Sequence, residues 1–193
     1  MLDVRVVTVS GPRGVGKDSI ATALVAHIPN LRRIVVHTTR APRYGEQEGR
    51  EYHFVSDLEF EELVRGNRFV WFGQIGPVQR HGILADKFMT SSYGSVLVTI
   101  PPAARAIREW ITVMGGRTFL LAVFASTKER RQRIRNREIG ISELEVQRLM
   151  REDPVSPSMR DFQDFDARIL NRGTSPEPAY QRAITLVHRF LRQ

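Results

Sequence analysis

The stretch that most constrains this chain is Ser10-Gly11-Pro12-Arg13-Gly14-Val15-Gly16-Lys17-Asp18-Ser19. An apolar run, Val4 to Val9, precedes it, and an amphipathic run, Ile20 to Ile28, follows. The order is strand, glycine loop, helix, and the spacing Gly-x-x-x-x-Gly-Lys is that of a phosphate-binding loop. Glycines let successive backbone N–H groups turn inward around an anion, and the helix start adds its positive dipole end. Gly11, Pro12, Arg13, Gly14, Val15 and Gly16 are the expected cradle for nucleotide phosphates, and Lys17 the point charge for the outer ones. Asp18 stands where Ser or Thr normally touches magnesium, with Ser19 one step later, so both are candidate Mg2+ ligands. Of 29 basic residues only Lys17, Lys87 and Lys128 are lysine. A lysine on the motif position is therefore not what composition supplies by chance.

The 193 residues suit a single α/β domain with inserted segments, and 41% apolar content supports a real core. No apolar run reaches the length of about 18 residues needed for a membrane span. The first strand begins within a few residues of the N-terminus, which leaves no room for a signal peptide. With no cysteine, disulfides and thiolate metal sites are excluded, and a cytoplasmic location is expected. The net charge of +8 comes without a basic tail or an aromatic–basic alternation. It is assigned to small phosphorylated partners rather than to nucleic acid.

Strands are expected at Val4–Val9, Arg33–His37, Glu51–Val55, Ser95–Ile100, Thr118–Ala125 and Ala167–Leu170. Arg68–Ile75 is apolar and aromatic and breaks at Gly76-Pro77. Helices are expected from Lys17 to His27, after the capping box Ser56-Asp57-Leu58-Glu59, after Pro101-Pro102, and after a second box, Ser126 to Glu129. Two more run from Ser142 past Arg148 and from Glu177 to Leu191. Alternating strands and helices imply a parallel sheet with right-handed crossovers and ligands at the carboxyl ends of its strands.

A second constellation lies in His37-Thr38-Thr39-Arg40-Ala41-Pro42-Arg43-Tyr44-Gly45-Glu46, followed by Gly49 and Tyr52-His53-Phe54-Val55. Arg40 and Arg43 are two fork-shaped cations in one loop, and Tyr52 adds a phenolic donor. Together they suit a second phosphate, although two nearby arginines are also the ordinary content of a solvated loop. In the basic helix after Ser126, Arg133 and Arg137 share one face, and Arg130, Arg131 and Arg135 are read as solvated.

Thr38-Thr39-Arg40-x-Pro42-Arg43-x-Gly45-Glu46-x-x-Gly49-x-x-Tyr52-x-Phe54 resembles the guanylate kinase signature, and Ser10 to Lys17 fits the phosphate loop of that family. Arg133, Arg137 and Arg148 match the spacing of its lid and clamp arginines, and Asn171 matches an asparagine after the last strand. The resemblance spans nearly the whole chain. It implies a P-loop NTPase-type α/β fold with a core of residues 1–37, 84–130 and 150–193. It also implies an inserted acceptor-binding subdomain at about 38–83 and a helical lid at about 131–149. ATP and Mg2+ are the implied cofactors, with Gly11 to Ser19 and Asn171 on the ATP. Lys17, Arg133, Arg137 and Arg148 serve the phosphoryl group in flight, and Arg40, Arg43 and Tyr52 hold the phosphate of the acceptor, GMP. A monomer or homodimer is implied.

The chain departs from that pattern where the acceptor is read. Trp71 replaces an acidic residue that accepts hydrogen bonds from guanine, and indole cannot accept any. His81 and Ile83 replace the tyrosine and the hydroxyl residue that flank Gly82. Val98-Thr99-Ile100-Pro101 replaces a strand end bearing acids. Trp71 suits stacking on a ring or a place in the core; His81 suits a phosphate donor or a surface position. Ribose 1,5-bisphosphate phosphokinases, relatives with Gly-Lys-Asp-Ser in the loop, also lack these acids, so a non-guanine phosphomonoester is the alternative acceptor. A catalytically weak binding module is a third reading.

Overall fold

The computed structural model describes residues 4–43, 45–75, 79–89, 93–138, 140–155, 158–173 and 175–193. The chain runs β1 (Arg5–Ser10), α1 (Lys17–His27), β2 (Leu31–Arg33), β3 (Val36–Thr38), β4 (Tyr52–Phe54), α2 (Asp57–Arg65), β5 (Phe69–Ile75) and β6 (Gln79–Leu84). It continues through β7 (Gly94–Thr99), α3 (Pro101–Val113), β8 (Arg117–Phe124), α4 (Thr127–Arg137), α5 (Glu143–Arg151), β9 (Ala167–Leu170) and α6 (Glu177–Leu191).

Five strands form a parallel sheet in the order β2-β7-β1-β8-β9. Side chains alternate across it, as the two-residue period requires. Val7 and Val9 of β1 and Leu121 and Val123 of β8 pack with Ile20 and Leu24 of α1 and Ala183 and Val187 of α6. Val6 and Leu97 face the other way, onto Ala103, Ile107 and Ile111 of α3. Leu120, Ala122 and Phe124 continue that second face against Phe162 and Phe165. Helices therefore cover both faces, the arrangement expected of parallel strands buried on both sides. This is the fold class the motif order implied.

The expected single strand Arg33–His37 is two strands in two sheets. β2 completes the central sheet, and the chain then crosses at Ile34–Val35 to β3 in a four-stranded sheet, ordered β4-β3-β6-β5. The apolar run around Ile34 supplies both, because Ile34 and Val36 bury into the core shared by the two sheets. β6 was not legible as a strand: Gln79-Arg80-His81-Gly82 carries no apolar alternation, and its pairing with β5 supplies the register. The expected break at Gly76-Pro77 lies outside the described residues.

Both expected capping boxes are present. The Ser56 hydroxyl accepts from the Glu59 N–H while the Glu59 carboxylate accepts from the Ser56 N–H, and Ser126 and Glu129 do the same for α4. Each fixes where a helix leaves a strand end, and α4 leaves beside the phosphate loop.

Ile107 is fully buried where α3 meets the central sheet. Ile107→Ala is expected to destabilise the fold by about 2–5 kcal/mol through lost burial and a residual cavity. Urea unfolding followed by circular dichroism measures it; a change below about 0.5 kcal/mol would mean that α3 does not pack as described.

Candidate active site

The loop between β1 and α1 takes its shape from glycines that are required twice over, by dihedral and by space. Gly14 has φ +80° and Gly16 φ +93°. A Cβ on Gly14 would lie 2.8 Å from the Arg130 carbonyl oxygen, and one on Gly16 would lie 2.6 Å from Asn171 Nδ2. The loop is thus pressed against α4 on one side and against the end of β9 on the other. Asn171 Nδ2 donates to the Val15 carbonyl at 2.8 Å. Arg133 donates to the Val15 carbonyl at 3.2 Å and to the Asn171 carbonyl at 3.1 Å.

Lys17 reaches back across this loop and donates to the Gly11 carbonyl at 2.8 Å and the Pro12 carbonyl at 3.0 Å. Its pKa is lowered to about 8, chiefly by desolvation; Asp18 and Asp153 oppose the shift, and Arg13 and Arg130 add to it. The ammonium is therefore charged below about pH 8 and held mainly by carbonyl dipoles.

The loop opens into a cleft of about 420 Å³ whose wall includes Gly11, Arg13, Gly14, Gly16, Lys17, Asp18 and Ser19. Arg40, Arg43, Tyr52, Trp71 and His81 line the same cleft, and so do Arg133 and Arg137. Pro12, Val15 and Asn171 are buried and are not part of the lining. The two constellations that the sequence keeps some twenty residues apart thus share one cavity.

The second constellation is organised by Glu46. Its carboxylate accepts from Arg40 Nη2 at 2.8 Å and 3.0 Å and from the Arg43 N–H at 2.8 Å. Arg40 also lies over the Tyr52 ring, 5.2 Å from its centroid. Burial lowers the Arg43 pKa, and Arg40, Arg137 and Arg13 lower it further. Burial likewise raises the Tyr52 pKa, so the phenol stays protonated and can donate. His81 is buried with a pKa of about 4, lowered by desolvation and then by Arg40 and Arg43. It is neutral at pH 7, with one ring N–H to give.

Residues 3–80 match the family model for guanylate kinase. A guanylate kinase of Mycobacterium tuberculosis is 34% identical over 172 residues, covering 87% of this chain and 80% of that protein. One from Rubrobacter xylanophilus is 30% identical over 194 residues, covering 97% and 95%. The chain belongs to the guanylate kinase family. The crystal structure of guanylate kinase from Anaplasma phagocytophilum shares the fold, with a TM-score of 0.69 over 98% of this chain and 86% of that one at 19% identity. The protein is a guanylate kinase-like phosphotransferase, a nucleotide kinase.

Within this kinase Arg148 lies apart from the cleft lining. It sits on the exposed side of α5 with Glu145 at 3.5 Å and Glu152 at 3.9 Å. Asp18 and Ser19 are exposed at the cleft mouth, and Asp18 pairs with Arg33 at 2.6 Å. No cluster of three or more His, Asp or Glu suited to a metal occurs among the described residues. A lone carboxylate beside a hydroxyl fits Mg2+ all the same, because that ion keeps several waters and takes most of its other ligands from substrate phosphates.

Arg130 corrects the reading of a solvated helix face. It is 3% exposed and ion-paired at 2.8 Å with Asp153. The signal was available in spacing: Arg130 stands four residues before Ile134, the buried apolar position of α4. Arg135 is exposed as expected, Arg131 is half-buried, and both reach Glu143. Gln79 and Thr99 also line the cleft. Gln79 could have been inferred by strand parity with His81 once β6 was known to be a strand.

With three lysines in the chain, Lys17 can be followed individually. Side-chain NMR is expected to show one lysine titrating near pH 8, absent from the Lys17→Met spectrum. A Lys17 resonance that titrates at the ordinary lysine value would refute the desolvated ammonium.

Proposed function

We propose that this kinase transfers the γ-phosphate of ATP to the phosphate of a nucleoside monophosphate, GMP to GDP first among them. The observation that carries the reading is that the phosphate loop and the Arg40–Arg43–Tyr52 group line one cleft. GMP is favoured because the relatives that span most of this chain are guanylate kinases.

In this reading the N–H groups of residues 14–17 and the Lys17 ammonium hold the β- and γ-phosphates. Arg40, Arg43 and the Tyr52 hydroxyl hold the acceptor phosphate, with Glu46 fixing both arginines and His81 donating one further hydrogen bond. An acceptor phosphate oxygen attacks γ-phosphorus as the bond from that phosphorus to the β-phosphate bridging oxygen breaks, leaving ADP. Little covalent chemistry is asked of the protein; alignment and charge stabilisation dominate. Arg133 and Arg137 face the transferring group, and Arg148 joins them as the helical segment 131–149 closes as a lid and excludes water. Asp18 and Ser19 would hold Mg2+, which would supply positive charge against that of the phosphates.

One observation favours a second acceptor class. The carboxylates in the described cleft lining, Asp18 and Asp153, both lie with the phosphate loop; the far end has Trp71, Ile75, Gln79, Val98, Thr99 and Ile100. The N–H donors of a guanine edge find no carboxylate there, and each one left unpaired costs about 1–3 kcal/mol. A phosphomonoester without guanine, such as ribose 1,5-bisphosphate, escapes that cost.

A coupled ADP-release assay over GMP, dGMP, the other nucleoside monophosphates and ribose 1,5-bisphosphate separates these readings. Turnover is expected with GMP; turnover on ribose 1,5-bisphosphate alone would favour the second. ATP binding without turnover on any acceptor would identify a binding module. On the best acceptor, Lys17→Ala is expected to lower kcat by at least about 10³-fold. Arg40→Ala is expected to raise the acceptor KM by about tenfold or more, since hydrogen bonds to charged groups contribute about 1.5–3 kcal/mol. An acceptor KM indifferent to Arg40→Ala would remove the second phosphate grip from the proposal.

A further inference from the structure

The backbone of Arg13, at the crest of the phosphate loop, is held on both sides by one buried ion pair. Its N–H donates to Asp153 Oδ2 at 2.6 Å. Its carbonyl accepts from Arg130 Nε at 2.8 Å, and Arg130 Nη2 closes the ring onto the same Asp153 oxygen at 2.8 Å. The two side chains are 4% and 5% exposed. The other Asp153 oxygen accepts from the Val155 N–H at 3.2 Å, so the carboxylate is locked in its own turn.

The two partners come from opposite ends of one excursion of the chain. Arg130 lies in the first turns of α4, and Asp153 lies two residues beyond α5. Between them runs the segment that carries Arg133, Arg137 and Arg148. Both roots of that segment thus fasten on a single residue of the loop. The α4 backbone touches the loop as well, at the Arg130 carbonyl that excludes a Cβ from Gly14.

Stability alone does not account for such a pair. Burying two ions carries a desolvation cost that their attraction offsets only with good geometry, and apolar side chains of similar volume do as well or better. What an apolar pair cannot supply is direction. Here a donor faces the carbonyl and an acceptor faces the N–H of the same residue, which fixes how the loop backbone around Arg13 is turned. That orientation sets where the next N–H groups, at Gly14 to Lys17, point.

We propose that Arg130 and Asp153 are a positioning pair that orients the phosphate loop for ATP and ties its occupancy to the seating of the 131–149 lid. The proposal rests on the reading of Gly11–Ser19 as the ATP site and is independent of the acceptor. Phosphates entering the loop bear on the Arg13 backbone, and the pair passes any shift to both roots of the lid together. Neither residue touches substrate in this account; they act through the loop.

The test separates direction from stability in the full chain. Arg130→Leu/Asp153→Leu replaces the pair by apolar volume, and its Tm is expected to match or exceed that of the parent. ATP affinity measured by calorimetry with Mg2+ is nevertheless expected to weaken about tenfold or more, and kcat at saturating ATP to fall, since a loop displaced by about 1 Å can cost up to 10²-fold. Parental ATP affinity and kcat in this variant would overturn the proposal. Should the double variant melt early, Asp153→Asn and Asp153→Leu are compared well below their melting temperatures. Asparagine keeps an acceptor for the Arg13 N–H, so it is expected to retain ATP affinity better than leucine; equal affinities would overturn the proposal too. A parent chain that binds no ATP would instead refute the phosphate-loop assignment itself.

Discussion

The site depends on a backbone shape that only glycine permits, kept in place by packing from both sides. Gly14 and Gly16 sit at positive φ against the Arg130 carbonyl and the Asn171 side chain. The loop is consequently a surface moulded between α4 and the end of β9 more than a flexible segment that folds around its ligand. Rigid donors of this kind cost no reorganisation when charge arrives, which is the condition for electrostatic stabilisation. The parallel sheet has the same logic at larger scale. With β1 flanked by β7 and β8, the loop emerges at the carboxyl end of the sheet, where helix starts converge.

The second constraint is charge. Arg13, Lys17, Arg40, Arg43, Arg133 and Arg137 surround one cavity. Glu46 and Asp153 serve this group as fixtures, each tied to backbone N–H groups as well as to arginines. The lowered pKa values of Lys17, Arg13 and Arg43 have the same origin, desolvation first and then neighbouring cations or an incomplete set of counter-charges. Ligand phosphates relieve both. In the proposed function, a cleft that is electrostatically unfavourable by itself becomes favourable with two phosphate-bearing molecules in it, and this conditional charge balance links the fold to phosphoryl transfer.

Local signals carried most of the fold into the sequence. The strand–glycine loop–helix order, two capping boxes and the Pro101-Pro102 helix start each depend on a few adjacent residues, and each appears where expected. What was not legible depends on partners distant in the chain. β2 and β3 read as one strand because their division is between two sheets, and β6 exists through its pairing with β5. Arg130 read as solvated because a helix of arginines conceals its inward face; Asp153, the partner that makes burial tolerable, lies 23 residues later. That Lys17, Arg40, Arg43 and Tyr52 are cleft candidates was legible by residue type, whereas the roles of Glu46 and Asp153 in holding Arg40, Arg43 and Arg13 were not, since an acid beside arginines reads equally well as a surface ion pair.

At the acceptor end, the sequence and the geometry lead to the same physical question. Trp71 pairs across the strands with Ile83, and its indole lies so close over Gly73 that a Cβ there would sit 2.7 Å from Cζ2. It packs against the core and lines the cleft at once, so the two roles weighed for it from sequence are not exclusive. Ile83 is fully buried and offers no polar group. In the proposed function, the polar groups at the far end of the described lining that can read the acceptor beyond its phosphate are the Gln79 amide, the Thr99 hydroxyl and a neutral His81. An amide donates and accepts equally well, and an indole face offers stacking that is tolerant of base identity. In the proposed function the phosphate end therefore supplies binding through charge, while the far end selects by shape and by neutral hydrogen bonds. In such a site selectivity arises from groups left unpaired by a wrong acceptor, and a carboxylate-free wall penalises fewer of them.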